Sequence, residues 1–589
     1  MKVPFPQLRS NPYARLLKRY LNPHRLWVIA LAIALFASMA LRLINPQILR
    51  YFIDTALNQG AEPALLQAAL LFIAIAVVTQ GLAVVTTYLG ETVAWRATNA
   101  LRSDLAAHCL QLDLAFHQSR TPGELVERVD GDVNTLARFF SRFALYILGN
   151  GLLLLGILTV LWLEDWRAGL SLTLFVLFVL GFLTRLLRFA LPDWVAYRQL
   201  SAQFFGFLAE YLAGREDLQA NGNISYVKQR FYGMLQRWLP IFHRARLAQT
   251  MLWSSSIALL TMGNIIALGV GAYLWTQGII TVGTVYLIFY YTSQLRQPLA
   301  SILGELTDFQ QAQASILRVQ ELLATSSRLP DAGSQSLPPG ACAIAFNQVW
   351  FSYEASASSD WALQNVSWHL PAGQVLGIVG HTGSGKTTLS RLLLRFYMPQ
   401  KGAIYLGSLP LTAVAADCLR QRVGIVTQDV QLFQATIRDN LRLFDPKIAD
   451  RQIYQALTQM GLLDWLRSQP QGLDTVLASD SGGLSAGEAQ LLAFARIWLR
   501  DPSLVILDEA SSRLDPNTEG YIEQATQQLM QGRTGIIIAH RLSTLRQVDC
   551  ILVLERGQVV EYGRRCDLAN QPTSRFAHLL RINQTNALP

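Results

Sequence analysis

Charge is scarce in this 589-residue chain: only 15% of its residues are Asp, Glu, Lys or Arg, against 51% that are hydrophobic. Soluble domains carry about 25% charged residues, which excludes a chain soluble throughout and implies a membrane-embedded half beside a soluble one. Cysteine is scarce too. Cys109, Cys342, Cys418, Cys550 and Cys566 form no C-x-x-C pair and no cluster with histidine, which argues against a disulfide scaffold or a zinc site; reduced thiols in a cytosolic compartment are expected. Acid is lacking before Leu26, where Lys2, Arg9, Arg15, Lys18, Arg19 and Arg25 stand, marking a cytoplasmic N-terminus. A cleavable signal peptide is not visible, because the first apolar run starts too late and is too long. The soluble half has no basic run interleaved with base-stacking aromatics, so the net charge of +9 reads as membrane topology and no nucleic-acid partner is expected.

What is abundant is long apolar runs. They predict six membrane spans at about 26–44, 64–88, 143–162, 170–187, 253–275 and 279–295, each near the length needed to cross a bilayer. Both ends lie inside; the short connections lie outside, and the long Arg-rich ones at 91–141 and 188–250 lie inside. The inner connections keep helical apolar spacing, so the helices extend into the cytoplasm, with turn-rich breaks at 116–125 and 220–226 suited to touching another domain. Arg42 near the outer end of the first helix and Arg296 near the inner end of the sixth read either as head-group anchors or as part of a cavity for an anionic or amphipathic substrate. Tyr286, Phe289, Tyr290 and Tyr291 are candidates to line such a cavity or to pack a helix interface. A Ser/Pro/Gly-rich linker covers 326–340, dividing a membrane domain (1–325) from a soluble domain (341–580) and a tail (581–589).

The soluble half has α/β texture and is built around Val375–Val379, a short apolar strand, and the loop after it. Gly380, His381, Thr382, Gly383, Ser384, Gly385, Lys386 and Thr387 fit G-x-x-x-x-G-K-S/T, with Thr388 opening a helix. Glycines let backbone N–H groups curl around phosphate oxygens, Lys386 would reach the β- and γ-phosphates, and Thr387 would ligate Mg²⁺. Tyr353, at the end of an earlier strand, is placed to stack on a purine, or is an ordinary strand aromatic. Gln428 ends another strand as a ligand or water contact for Mg²⁺. The strand at 504–507 ends in Asp508, to hold Mg²⁺ through water, and Glu509, to act as general base on the attacking water. His540, after the strand at 536–538, would contact the γ-phosphate and orient that water. Leu484, Ser485, Ala486, Gly487 and Glu488 precede a further helix; Ser485, the Gly487 amide and the helix dipole make a second phosphate-facing surface. One chain has one γ-phosphate to clamp, so two such surfaces suggest two chains, each completing the other's site.

These motifs, in this order and spacing, resemble an ATP-binding cassette (ABC) half-transporter of the exporter fold over nearly the whole chain. The resemblance implies a six-helix, all-α transmembrane domain followed by an α/β P-loop ATPase domain. It names Walker A (380–387), Q-loop (Gln428), signature (484–488), Walker B (Asp508, Glu509), D-loop (Ser512, Leu514, Asp515) and His-switch (His540). It implies ATP and Mg²⁺ as cofactors, coupling helices near 113–120 and 220–226, and a dimer with ATP between one subunit's phosphate loop and the other's signature. The implied place is the cell inner (plasma) membrane, multi-pass, with the ATPase domain cytoplasmic. The implied activity is ATP-driven export or flipping of an amphipathic, lipid-like or drug-like molecule by alternating access; alternatives are an exporter-fold importer or an ATP-gated or regulatory subunit of a heterodimer. The partner half is a copy of this chain or a different one, and the substrate is not readable. Three departures stand out. Ala486 and Glu488 replace Gly and Gln of the signature, where a carboxylate near polyphosphate would weaken clamping through like-charge repulsion. The upstream Thr-Val-Gly-Glu-x-Gly segment, here 475–482, lacks its Glu in register. Arg513 stands where Ala is usual in the D-loop.

Overall fold

The computed structural model describes residues 18–142, 147–327, 329, 333–353, 361–478, 483–508, 516–539 and 542–585. Its chain divides into two compact units, Met1–Leu110 with Pro122–Thr325, and Gln111–Thr121 with Ser326–Pro589.

The first unit is helical. Its long elements are α1 (Arg25–Leu57) and α2 (Glu62–Gln111), which leads into the short α3 (Leu114–Gln118) of the second unit; then α4 (Asp132–Arg142), α5 (Gly149–Glu164), α6 (Trp166–Ala213), α7 (Ile224–Thr276), α8 (Val282–Gln294) and α9 (Arg296–Ala324). Among the described residues the helices that include α1, α2, α6 and α7 are long and apolar enough to cross a membrane, and α5 is a shorter apolar helix. Only 6% of the most apolar stretch of α2 is buried, so Leu66, Leu70, Ile73 and Val77 require an apolar surrounding from outside this chain.

One expectation is corrected here. Helix α1 does not end with the apolar run at 44: Pro46 is buried inside it and the helix continues to Leu57. Proline removes one backbone hydrogen bond, a loss that neighbouring helices offset in membrane helices. Arg42 therefore lies about 22 Å before the helix end, at 1.5 Å per residue, and not near it. Arg296 lies inside the long sixth helix, as its expected extension into the cytoplasm requires: Leu295 between α8 and α9 is itself helical (φ −64°, ψ −19°) and the run continues to Ala324.

Polar bonds fasten α1 at its C-terminal end. Arg50 pairs with Glu164 at the end of α5 (2.6 Å), while Asp54 accepts from the Thr281 hydroxyl (2.7 Å) and the Gly283 N–H (2.8 Å) at the start of α8. A Cβ at Gly283 would lie 2.6 Å from Asp54 Oδ1, so this approach requires glycine. Further along, the Tyr291 hydroxyl donates to the Leu43 carbonyl (2.6 Å). At the other end of the bundle, buried Asp132 on α4 accepts from Ser315 (2.8 Å) and Arg318 Nε (2.8 Å) on α9.

The second unit holds two sheets. Strands β1 (Ile344–Phe351), β2 (Leu363–Leu370), β4 (Lys401–Leu406) and β5 (Leu409–Pro410) form an antiparallel sheet in the order β2-β1-β4-β5. Strands β3 (Val375–Val379), β6 (Val423–Val426), β7 (Leu504–Asp508), β8 (Thr534–Ile538), β9 (Cys550–Glu555) and β10 (Gln558–Arg564) form the second, in the order β10-β9-β3-β8-β7-β6. All its pairings are parallel except β10 with β9. The parallel strands are apolar runs buried on both faces, as such sheets require. The helices of the unit include α10 (Lys386–Leu393), α11 (Ile437–Arg442), α12 (Asp450–Gln459), α13 (Leu463–Ser468), α14 (Ala486–Arg500) and α15 (Pro516–Met530). One core cluster joins Ile453, Leu457, Phe494, Leu507 and Ile537, so α12 and α14 share packing with the sheet.

Candidate functional site

Register brings the sequence-identified groups to one edge. Ile378 pairs with Ile538, Ile538 with Asp508, and Leu507 with Val426. The loop after β3, Gln428 after β6, Asp508 at the end of β7 and Ala539 after β8 thus share the carboxyl edge of the parallel sheet, where ligands bind in such folds. Glu509 and His540 come directly after Asp508 and Ala539 and lie outside the described residues, as do Ser512, Leu514 and Asp515.

The phosphate loop fits a triphosphate on its own geometry. Gly383 and Gly385 have φ of +82° and +102°, which side chains rarely adopt. A Cβ at Gly380 would lie 2.3 Å from the Leu554 carbonyl oxygen and 2.5 Å from Ser384 Oγ. Helix α10 begins without a side-chain cap, leaving its first-turn N–H groups for an external acceptor. Ser384 Oγ is buried with no hydrogen-bond partner among the described residues, a polar atom that a phosphate oxygen would satisfy. Lys386 is buried, and its ammonium donates to the carbonyls of Gly380 (2.7 Å) and His381 (3.0 Å), which holds the charge inside the loop. His381, Thr382 and Thr387 are exposed on the loop, and Thr388 is buried. Gln428 is exposed and Asp508 half-buried.

Tyr353 reaches the same helix from the antiparallel sheet. Its hydroxyl lies 3.1 Å from Thr388 Oγ1 and accepts from Arg391 (3.1 Å), while its ring stays partly exposed.

The signature segment caps α14. Ser485 Oγ accepts from the Glu488 N–H (3.2 Å), and the Glu488 carboxylate accepts from the Ser485 N–H (2.7 Å), a reciprocal capping box. Glu488 is therefore tied to its own helix start. The S-x-x-E spacing carried this signal, which a reading by charge alone missed. Glu488→Gln keeps an oxygen acceptor for the cap and removes the charge. Charges at helix N-termini are worth about 0.3–1 kcal/mol, so the variant is expected to lower the ATP concentration for half-maximal turnover about two- to fivefold. An unchanged value in an ATP titration would dismiss the repulsion.

Arg496, within the apolar run of α14, was not singled out by sequence. It is 9% exposed and donates to the Asn440 carbonyl (2.7 Å), Asn440 Oδ1 (3.0 Å) and the Gln431 carbonyl (2.8 Å). Burial lowers its pKa to about 10. A cation inside an apolar helical run was the available clue. Through it α14 is bonded to the segment that follows Gln428. Arg496→Met is expected to destabilise the domain by about 3 kcal/mol or more, since each orphaned buried acceptor costs about 1–3 kcal/mol; thermal unfolding checks this. Upstream, Thr475 accepts from Ile437 N–H (2.9 Å) and Leu477 N–H donates to Ala435 (2.9 Å). Residues 479–482 lie outside the described residues.

In the first unit an open recess of about 540 Å³ is lined by Tyr290, Ser293, Gln294, Arg296 and Gln297. Tyr290 lines it; Tyr291 is 1% exposed and packs inside the bundle.

Residues 363–512 match the ABC transporter family and residues 28–299 match the ABC transporter transmembrane region. An ATP-dependent lipid A-core flippase of Alkalilimnicola ehrlichii is 30% identical over 515 residues, covering 85% of this chain and 85% of that protein. The chain belongs to the ABC transporter family. Other relatives of this ABC transporter include an uncharacterized ABC transporter ATP-binding protein of Bacillus subtilis (29% over 560 residues, 93% of this chain and 91% of that one). A leukotoxin translocation ATP-binding protein of Mannheimia haemolytica is 30% identical over 483 residues, 81% of this chain and 67% of its own. A bacterial Atm1-family ABC exporter solved with ATP bound superposes with a TM-score of 0.80 at 24% identity, covering 96% of this chain and 99% of that one. This ABC transporter thus has the exporter half-transporter architecture, a helical transmembrane region followed by an ATPase domain that binds ATP and couples its hydrolysis to transport.

Proposed function

We propose that this chain is one half of a dimeric pump that exports or flips an amphipathic, lipid-like or drug-like molecule by alternating access. The observation that carries the reading is a phosphate loop with a buried Ser384 Oγ that has no partner among the described residues, in the same chain as membrane-length apolar helices. ATP would lie on the loop 380–388 with its purine against Tyr353; Lys386 would hold the phosphates. Thr387, Gln428 and Asp508 would hold Mg²⁺, which neutralises the developing charge on the phosphates when bound. Glu509 would take the proton of the attacking water and His540 would orient it. Residues 484–488 and the D-loop residues Ser512, Leu514 and Asp515 would face a second half-transporter, a copy of this chain or another. The lipid A-core flippase and leukotoxin translocation relatives make a large amphipathic substrate reasonable, and the recess beside Arg296 suits an anionic head group. The proposed place is the cell inner (plasma) membrane with the N-terminus and ATPase domain cytoplasmic.

The test is reconstitution in vesicles with the ATPase domain outside and a fluorescent anionic phospholipid as probe. ATP-dependent movement away from the ATP side supports export; movement toward it supports the importer alternative. ATP-dependent flux that persists undiminished in Glu509→Gln would support gating instead of pumping.

A further inference from the structure

Helix α3 belongs to the second unit, although the chain leaves α2 to form it and returns to the first unit at Pro122. Asp113 caps it, accepting from the Phe116 N–H (2.9 Å). Leu114 and Ala115 pack against the core cluster that contains Phe351 and Tyr397. The Tyr397 hydroxyl donates to Gln118 Oε1 at 2.7 Å. The same tyrosine ring meets Tyr353 edge-on at 5.1 Å (87°) and Phe351 at 5.5 Å (62°), and Phe351 meets Tyr353 at 4.9 Å. Tyr397 is 8% exposed, so its packing is fixed by these neighbours. Burial raises its pKa further above neutral pH, where a tyrosine hydroxyl is protonated and donating in any case.

One buried side chain therefore touches both the ring at the purine place and the last residue of a helix covalently continuous with the membrane domain. We propose that Tyr397 is a positioning residue that carries the filling of the purine place at Tyr353 to α3 through its hydrogen bond to Gln118. This rests on the reading of Tyr353 as the purine-stacking residue. A base against Tyr353 restrains that ring, the edge-on contact restrains Tyr397, and the shared hydrogen bond restrains Gln118. Phosphate alone reaches the loop and α10, which meet Tyr353 only at its hydroxyl through Thr388 and Arg391, and it leaves the ring face unfilled.

The experiment is hydrogen–deuterium exchange over 111–121 in the full chain in lipid, with MgATP or inorganic tripolyphosphate. ATP is expected to slow exchange of the α3 amides about fivefold, the scale of one neutral hydrogen bond, and tripolyphosphate to leave them unchanged. Tyr397→Phe keeps the ring contacts and is expected to bind ATP as the wild type does while losing the slowing. Gln118→Glu retains an acceptor and keeps the slowing; Gln118→Leu loses it. Full slowing in Tyr397→Phe, or equal slowing by tripolyphosphate, overturns the proposal. Tyr353→Ala separates the two readings: unchanged ATP affinity there removes the purine place itself. Weakened affinity there, with an intact α3 response in Tyr397→Phe, removes only the relay.

Discussion

Lys386→Ala is expected to remove ATP binding. The ammonium is held in the loop by two carbonyls, and a triphosphate would offer it charged oxygens in their place. Hydrogen bonds to charged groups contribute about 1.5–3 kcal/mol each, so losing two costs roughly 3–6 kcal/mol, or about 10²–10⁴-fold in affinity. Alanine also leaves a gap at a buried position and two carbonyls without their donor. Lys386→Met fills that volume without a charge and isolates the electrostatic part. Fluorescent-nucleotide titration on both variants, with melting curves matched to the wild type, is the measurement. Retained tight binding in a folded variant would refute the phosphate role of Lys386.

Glu509→Gln is expected to bind ATP, trap a closed dimer and lose turnover. Removing a positioned general base costs about 10²–10⁴-fold in rate, while the amide keeps the size of the side chain and leaves the loop at 380–388 intact. The assay is ATPase activity of the chain purified alone in lipid. Wild-type activity that vanishes in the variant means that two copies of this chain make a working pair and that Leu484 to Glu488 serve as a signature. Near-normal turnover in the variant means another base. A folded wild-type chain without activity points to a different partner half.

Most of the architecture was legible because its signals are local. Runs of some twenty apolar residues mark membrane helices whatever surrounds them. Glycine spacing marks the phosphate loop because positive φ at Gly383 and Gly385 is a property of those residues themselves. The rest depended on partners distant in the chain. Proline at position 46 reads as a stop, yet packing carries α1 through it. Tyr290 and Tyr291 are equivalent by composition; one lines the recess while the other donates to Leu43, 248 positions away. Arg496 reads as a surface cation until Gln431 and Asn440 close over it. Glu488 was a middle case: its charge and its capping distance were both in the sequence, and only the geometry shows its carboxylate on the Ser485 amide.

The excursion of residues 111–121 into the second unit has a practical corollary for anyone expressing that unit by itself. A fragment beginning at the linker would lack α3, leaving the apolar seat of Leu114 and Ala115 bare and the Tyr397 hydroxyl without its acceptor. Such a fragment would be prone to self-association, and its solubility would rise if a peptide spanning 111–121 were supplied. The boundary at which this protein can be cut is thus set by three-dimensional membership and not by the Ser/Pro/Gly-rich stretch that the eye picks out in its sequence.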